Sequence, residues 1–151
     1  MRLGVRLAVD VGTVRIGVAR SDALGMLASP LETVPRGEGD VARIRSLAEE
    51  HAAIDVYVGV PAALSGRVTA STEDALSFAA RLDAVLPGLV RLIDERLTTV
   101  SAASRLREAG SDAKRSRSRI DQAAAAIMLE HALDMERRGG ARPGRDLSTM
   151  A

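Results

Sequence analysis

Residues 3–21, LGVRLAVDVGTVRIGVARS, decide the fold. Leu3, Val5, Leu7, Val9 and Val11 recur with the two-residue period of a strand that buries one face. Gly12 and Thr13 interrupt the pattern, and a second strand runs from Arg15 to Ser21 after only a short turn, so the two must pair antiparallel. Outward from there, residues 22–25 read as a turn and 27–34 as a third strand of the same meander. Pro35 and residues 36–40 end it. Val41, Ile44, Leu47 and Ala48 then mark one face of a helix, with Asp40 as its expected N-cap.

Beyond that helix, residues 54–60 are almost continuously apolar, as an interior strand covered on both faces would be, and Pro61 closes the run. Ser71 and Asp74 have the Ser-x-x-Asp spacing of a helix start, and the helix runs to Leu86 before Pro87 and Gly88. A fifth strand is expected over 89–94, a helix from Thr98 or Thr99 to Gly110, and a closing helix over 120–138 stopped by Gly139 and Gly140. The order implies one α/β domain over residues 1–140. Its mixed five-stranded sheet has three antiparallel strands followed by two parallel ones, flanked by helices. This is the element order of the ribonuclease-H-like superfamily. Residues 141–151, rich in Pro, Gly and polar side chains, are expected to form a flexible tail.

Composition narrows the chemistry. With 151 residues and no cysteine, the chain has no disulfide, thiolate nucleophile or Cys-based zinc site. No signal peptide or membrane-spanning run stands out, so a cytoplasmic protein is expected. A net charge of +1 announces no nucleic-acid binder by itself. The single Tyr57 and single Phe78 argue against aromatic platforms for stacked bases, so any nucleic acid should be held mainly by its backbone.

Three acids stand out. Asp10 interrupts the apolar centre of the first strand, where an ionised carboxylate needs a partner and a bound cation would supply one. Gly17 and Ala19 in the next strand leave open space beside it on this reading. Asp94 and Glu95 end the fifth strand and face opposite ways, so only one of them can share Asp10's face, and period alone does not choose. Asp121, expected in the first turn of the closing helix, heads a row with Ala125, Met128, Ala132 and Met135 at buried-face spacing. Carboxylates from three separated elements make a hard oxygen set suited to Mg²⁺ or Mn²⁺, and two such ions could drive phosphodiester hydrolysis. Lys114, Arg115, Arg117 and Arg119 form the densest basic segment, read as a loop just before Asp121 and suited to phosphate binding, with Arg15 and Arg67 extending the patch.

These residues carry a resemblance. Val9-Asp10-Val11-Gly12-Thr13, Arg15-Ile16-Gly17-Val18-Ala19, Ala28-Ser29-Pro30, Val58-Gly59-Val60-Pro61, Asp94-Glu95-Arg96-Leu97-Thr98-Thr99 and Asp121-Gln122-Ala123-Ala124-Ala125 together resemble the YqgF family, also called RuvX. That family is described as bacterial Holliday junction resolvases or pre-16S rRNA nucleases. The resemblance implies a ribonuclease-H-like fold with Asp10, Glu95 and Asp121 as the acidic triad, and so selects Glu95 over Asp94. It implies a metal-dependent nuclease acting on structured RNA, in 5′-end maturation of 16S rRNA. Branched DNA is the alternative, and a resolvase making two coordinated cuts would be a symmetric homodimer. The loop Ala62-Ala63-Leu64-Ser65-Gly66-Arg67 departs from the family's usual Asn and Asp-Gly turn. Asp-x-Gly-Thr also resembles the phosphate loop of the actin and hexokinase superfamily, but that superfamily needs two such domains and this chain has the length of one.

Overall fold

A computed structural model describes residues 1–61, 69–94 and 113–147, with the backbone alone over 113–119. Five strands form one sheet: β1 (Arg6–Val11), β2 (Arg15–Ser21), β3 (Ala28–Pro35), β4 (Asp55–Val60) and β5 (Val90–Asp94). Their order is β3-β2-β1-β4-β5. β1 and β2 pair antiparallel, as do β2 and β3, while β4 runs parallel to both β1 and β5. This is the mixed sheet that the sequence predicts. Val11 pairs with Ile16 across the first hairpin, where Gly12 N donates to Arg15 O at 2.9 Å.

Strand alternation sorts the core into two halves. On one face Leu7, Val9, Ile16, Val18, Val56, Val58 and Leu92 pack with Ile44, Leu47, Phe78 and Leu82 of helices α1 (Asp40–Glu50) and α2 (Ala70–Val85). On the other, Ala8, Ala19, Tyr57 and Ile93 meet Ala125, Met128, Leu129, Ala132 and Leu133 of the long helix α3 (Ala113–Gly139). Every residue of β4 is buried, as its continuous apolar run requires. The β1 and β2 residues Ala8, Gly17 and Ala19 under α3 are small, and at Gly17 helix backbone meets the strand directly. A Cβ there would overlap the carbonyl of Asp121 and come within 3.0 Å of Gln122 N. The space expected beside Asp10 is therefore filled by helix backbone, which only a glycine admits.

Several boundaries differ from the sequence reading for local reasons. The N-cap of α1 is Gly39, at φ 88°, and not Asp40. Asp40 is the first helical residue, and its carboxylate accepts from Gly37 N (3.1 Å) and Val41 N (2.7 Å) while nearly buried. Helix α2 starts through a reciprocal Thr69 and Thr72 pair, two residues ahead of the expected Ser71 and Asp74. Helix α3 begins at Ala113, so Lys114, Arg115, Arg117 and Arg119 are helical and form no loop. Asp121 consequently lies two turns inside the helix, beyond reach of a simple N-terminal dipole effect. Residues 141–147, part of the expected tail, return to the sheet, where Arg145 bridges Leu92 and Arg91 donates to the carbonyls of Pro143 and Gly144. The helix expected between Thr98 and Gly110 falls outside the described residues.

At the end of β1 away from Asp10, charge is taken inside and paired, with Arg6 Nε alone among the described buried side-chain N and O atoms left without a hydrogen bond. Arg6 is fully buried and donates to Glu136 at 2.7 Å, and Arg2 reaches both Glu136 and Asp55. Arg142 Nε and Tyr57 OH also donate to Asp55, at 2.7 and 2.9 Å. Burial alone would push the Glu136 carboxyl up, but its bonds to Arg2 and the charge of Arg6 hold it below the usual glutamate range. The stability this provides is complete above the ordinary glutamate value of about 4.3 and is lost as pH falls through the lower folded one.

Two outcomes follow. Glu136→Gln leaves Arg6 buried without a counter-charge and should cost about 3–5 kcal/mol in urea unfolding at neutral pH, with a shallower loss of stability in acid than the parent shows. Gly17→Ala overpacks the β2–α3 contact and should cost about 1–3 kcal/mol, lowering the thermal midpoint by roughly 2–4 °C per kcal/mol.

Candidate active site

Asp10 stands opposite Gly17 in the β1–β2 ladder and alternates with Ala8, which places it on the α3 face. Gly17 is also where the backbone of Asp121 rests on the sheet. One glycine thus brings a strand acid and a helix acid to the same spot. Arg15, two residues before Gly17 and on the same face, closes the group: its Nε donates to Asp121 Oδ2 at 3.0 Å. Both side chains remain partly open to solvent, Arg15 at 29% and Asp121 at 24%.

Burial pushes the Asp121 carboxyl up, the bond and charge of Arg15 pull it down, and the negative charge of Asp10 pushes it up again. The net direction is upward, with burial the largest cause. Such a pair of hard oxygen donors fits a divalent cation of the Mg²⁺ or Mn²⁺ class. Among the described residues no three acids, histidines or cysteines come together.

Of the other residues singled out in the sequence, Asp94 shares the alternation of Val90 and Leu92 and so belongs to the α1/α2 face, away from Asp10. Glu95 and Arg67 lie outside the described residues, as does the variant loop from Ala62 to Arg67. Lys114, Arg115, Arg117 and Arg119 are described in backbone only, along the helix that leads to Asp121.

Two supports were not legible in the sequence. Arg36 donates to the carbonyl of Gly12 at 2.8 Å and forks onto Asp74 at 2.8 and 2.9 Å, tying the turn that follows Asp10 to α2. Arg36 sits in the irregular stretch after Pro35, where no period marks it. Gln122 Nε2 donates to Thr33 Oγ1 at 2.8 Å and fixes α3 against β3 beside Asp121. Its place in the Asp-Gln-Ala-Ala-Ala run was the available signal.

Comparison with known proteins bears on the family and the fold. Residues 4–135 match the family model described as "RuvX: Holliday junction resolvase". A "Putative pre-16S rRNA nuclease" of Clavibacter michiganensis is 54% identical over 95% of this chain and 91% of its own length. One of Streptomyces avermitilis under the same name is 46% identical over 99% of this chain and 98% of its own. Among solved structures, RuvC of Thermus thermophilus, in complex with Holliday junction substrate, superposes with a TM-score of 0.56 at 17% identity, over 93% of this chain and 99% of that one. That likeness establishes the ribonuclease-H-like fold, and the family match over nearly the whole length, together with the relatives, establishes that the chain belongs to the RuvX family.

Proposed function

We propose that this chain is a divalent-cation-dependent nuclease that hydrolyses phosphodiesters in 5′-end processing of pre-16S rRNA, in the cytoplasm. The observation that carries the proposal is the seating of the α3 backbone on Gly17, which sets Asp121 beside Asp10 in a half-buried position where burial and the neighbouring acid both raise the Asp121 carboxyl. Asp10, Glu95 and Asp121 would be the ligands. Glu95 enters by family resemblance, and the position of Asp94 on the opposite face supports that choice. Bound Mg²⁺ or Mn²⁺ would supply Lewis-acid activation of the attacking water and of the leaving oxygen. The chain's own contribution is orientation: Arg36 and the Gly12 turn hold the end of β1, and Gln122 with Thr33 holds α3.

Substrate would be held by its phosphates. Arg15, Arg67 and the basic stretch of Lys114, Arg115, Arg117 and Arg119 would supply the cations for phosphate contacts, which position the substrate without reading it. Lys114 and Arg117 precede Asp121 by seven and four residues, a spacing that repeats along one row of a helix. The rRNA reading rests on the names of the relatives. Junction cleavage by a homodimer is the second reading, favoured by the description of the family model. Comparing cleavage of a precursor 16S 5′ fragment, a four-way DNA junction and plain duplex in Mg²⁺ separates them, and equal inertness toward all three would overturn both.

Asp10→Asn, Glu95→Gln and Asp121→Asn should each reduce Mg²⁺-dependent cleavage to background while the thermal midpoint stays level or rises, because neighbouring acids repel when no cation is bound. Full activity in any one variant removes that residue from the site. For the basic row, Lys114→Ala with Arg117→Ala should flatten the slope of log affinity against log salt by roughly 0.7 per lost contact on single strands, or 0.9 on duplex. Arg115→Ala with Arg119→Ala should do less. Identical slopes for both pairs and the parent would return the segment to a solvated surface.

A further inference from the structure

Arg15 makes a contact unlike those of its neighbours. Arg36 grips Asp74 through two nitrogens, and Arg43 grips Glu32 through Nε and Nη2 at 2.8 and 2.7 Å. Arg15 meets Asp121 through Nε, at the longer distance of 3.0 Å. A one-donor contact between partly solvated partners is exchangeable, where a two-donor fork is not. Its acceptor is also special, since Asp121 shares its corner of the sheet with Asp10.

We propose that Arg15 is an internal counter-ion that holds Asp121 until a nucleic-acid phosphate draws it away, so that metal and nucleic acid bind with positive coupling. The inference rests on the reading of Asp121 as a metal ligand. Without nucleic acid, an entering divalent ion meets a carboxylate already engaged by a cation and is repelled by it. With a phosphodiester in the cleft, the planar fork of Arg15 has an anion that accepts two of its hydrogen bonds, a better match than the single bond to Asp121. Arg15 then neutralises the backbone and vacates the acid pair. Linkage requires the converse as well: metal in the site frees Arg15 for phosphate and tightens nucleic-acid binding by the same factor. Arg15 is on this account a positioning residue, acting through Asp121.

The test is Mn²⁺ binding by the full chain, read by calorimetry and by the paramagnetic signal of free Mn²⁺, with and without an octanucleotide that gels show to survive the measurement. For the parent, the oligonucleotide should tighten Mn²⁺ binding by roughly 5- to 150-fold, the usual range of such coupling. Arg15→Gln should bind Mn²⁺ more tightly than the parent without oligonucleotide, and adding oligonucleotide should then change little. Arg15→Lys keeps the charge and should stay closer to the parent in the absence of oligonucleotide. A purely structural Arg15 predicts the reverse, weaker Mn²⁺ binding in both variants. Parent binding with Arg15→Gln equal or weaker overturns the counter-ion role alone. No Mn²⁺ binding by the parent at millimolar concentration, with or without oligonucleotide, overturns the metal site itself. Should Arg15→Gln not fold, an unaltered parent affinity on adding oligonucleotide overturns the coupling, and a tightening that Arg15→Lys shares supports it.

Discussion

The backbone contact between Gly17 and Asp121 is the constraint on which the site depends. Helices usually rest on sheets through side chains, with about 10 Å between layers. Here the carbonyl of a helical residue occupies the place of a strand Cβ. Because Gly17 is the cross-strand partner of Asp10, the closest approach of the two layers coincides with the one acid in the strand. Ala8 and Ala19 extend the low ground on which α3 lies, and Ala125 and Ala132 match it from the helix. Small residues thus act here by setting a distance.

Charge is handled differently at the two ends of β1. At Arg6 the chain is deeply buried, and Arg2, Arg6, Arg142 and Tyr57 bond the carboxylates of Glu136 and Asp55 there. At Asp10 the arrangement is more open: Asp121 shares its corner with Asp10, and Arg15 and Asp121 both reach solvent. Half-buried acids beside one another favour whatever cation can enter, which is the electrostatic basis of the proposed site.

The period-two run of residues 3–11 and the almost continuous apolar run of 54–60 make the sheet legible, because alternation and burial follow directly from which side chains face a core. Turn chemistry was harder to read. Gly39 and Thr69 displaced the expected caps since neighbouring Asp and Ser residues offer equally plausible local patterns, and the winner is set by tertiary contacts such as that of Thr72 with the carbonyl of Pro61. The start of α3 was missed because a basic run reads as a loop when no apolar period accompanies it. Asp10 and Asp121 could be proposed as anomalies of polarity. Their meeting through Gly17 could not, since a glycine in a strand signals a close approach without naming the element that approaches.

The aromatic content limits how a nucleic acid can be recognised. The chain has one Tyr, one Phe and no Trp, and both Tyr57 and Phe78 are fully buried. Tyr57 is committed to Asp55, while Phe78 lies under the guanidinium groups of Arg36 and Arg81. Stacking of splayed bases on Tyr, Phe or Trp therefore has no residue to supply it, which removes the commonest route to sequence-specific single-strand binding. Contacts from arginine to phosphate respond to phosphate position and carry no base identity. On the proposed reading, the spacing of phosphates in the folded substrate and the 2′-hydroxyl, present in RNA and absent from DNA, are the features that remain to tell an RNA end from a DNA junction.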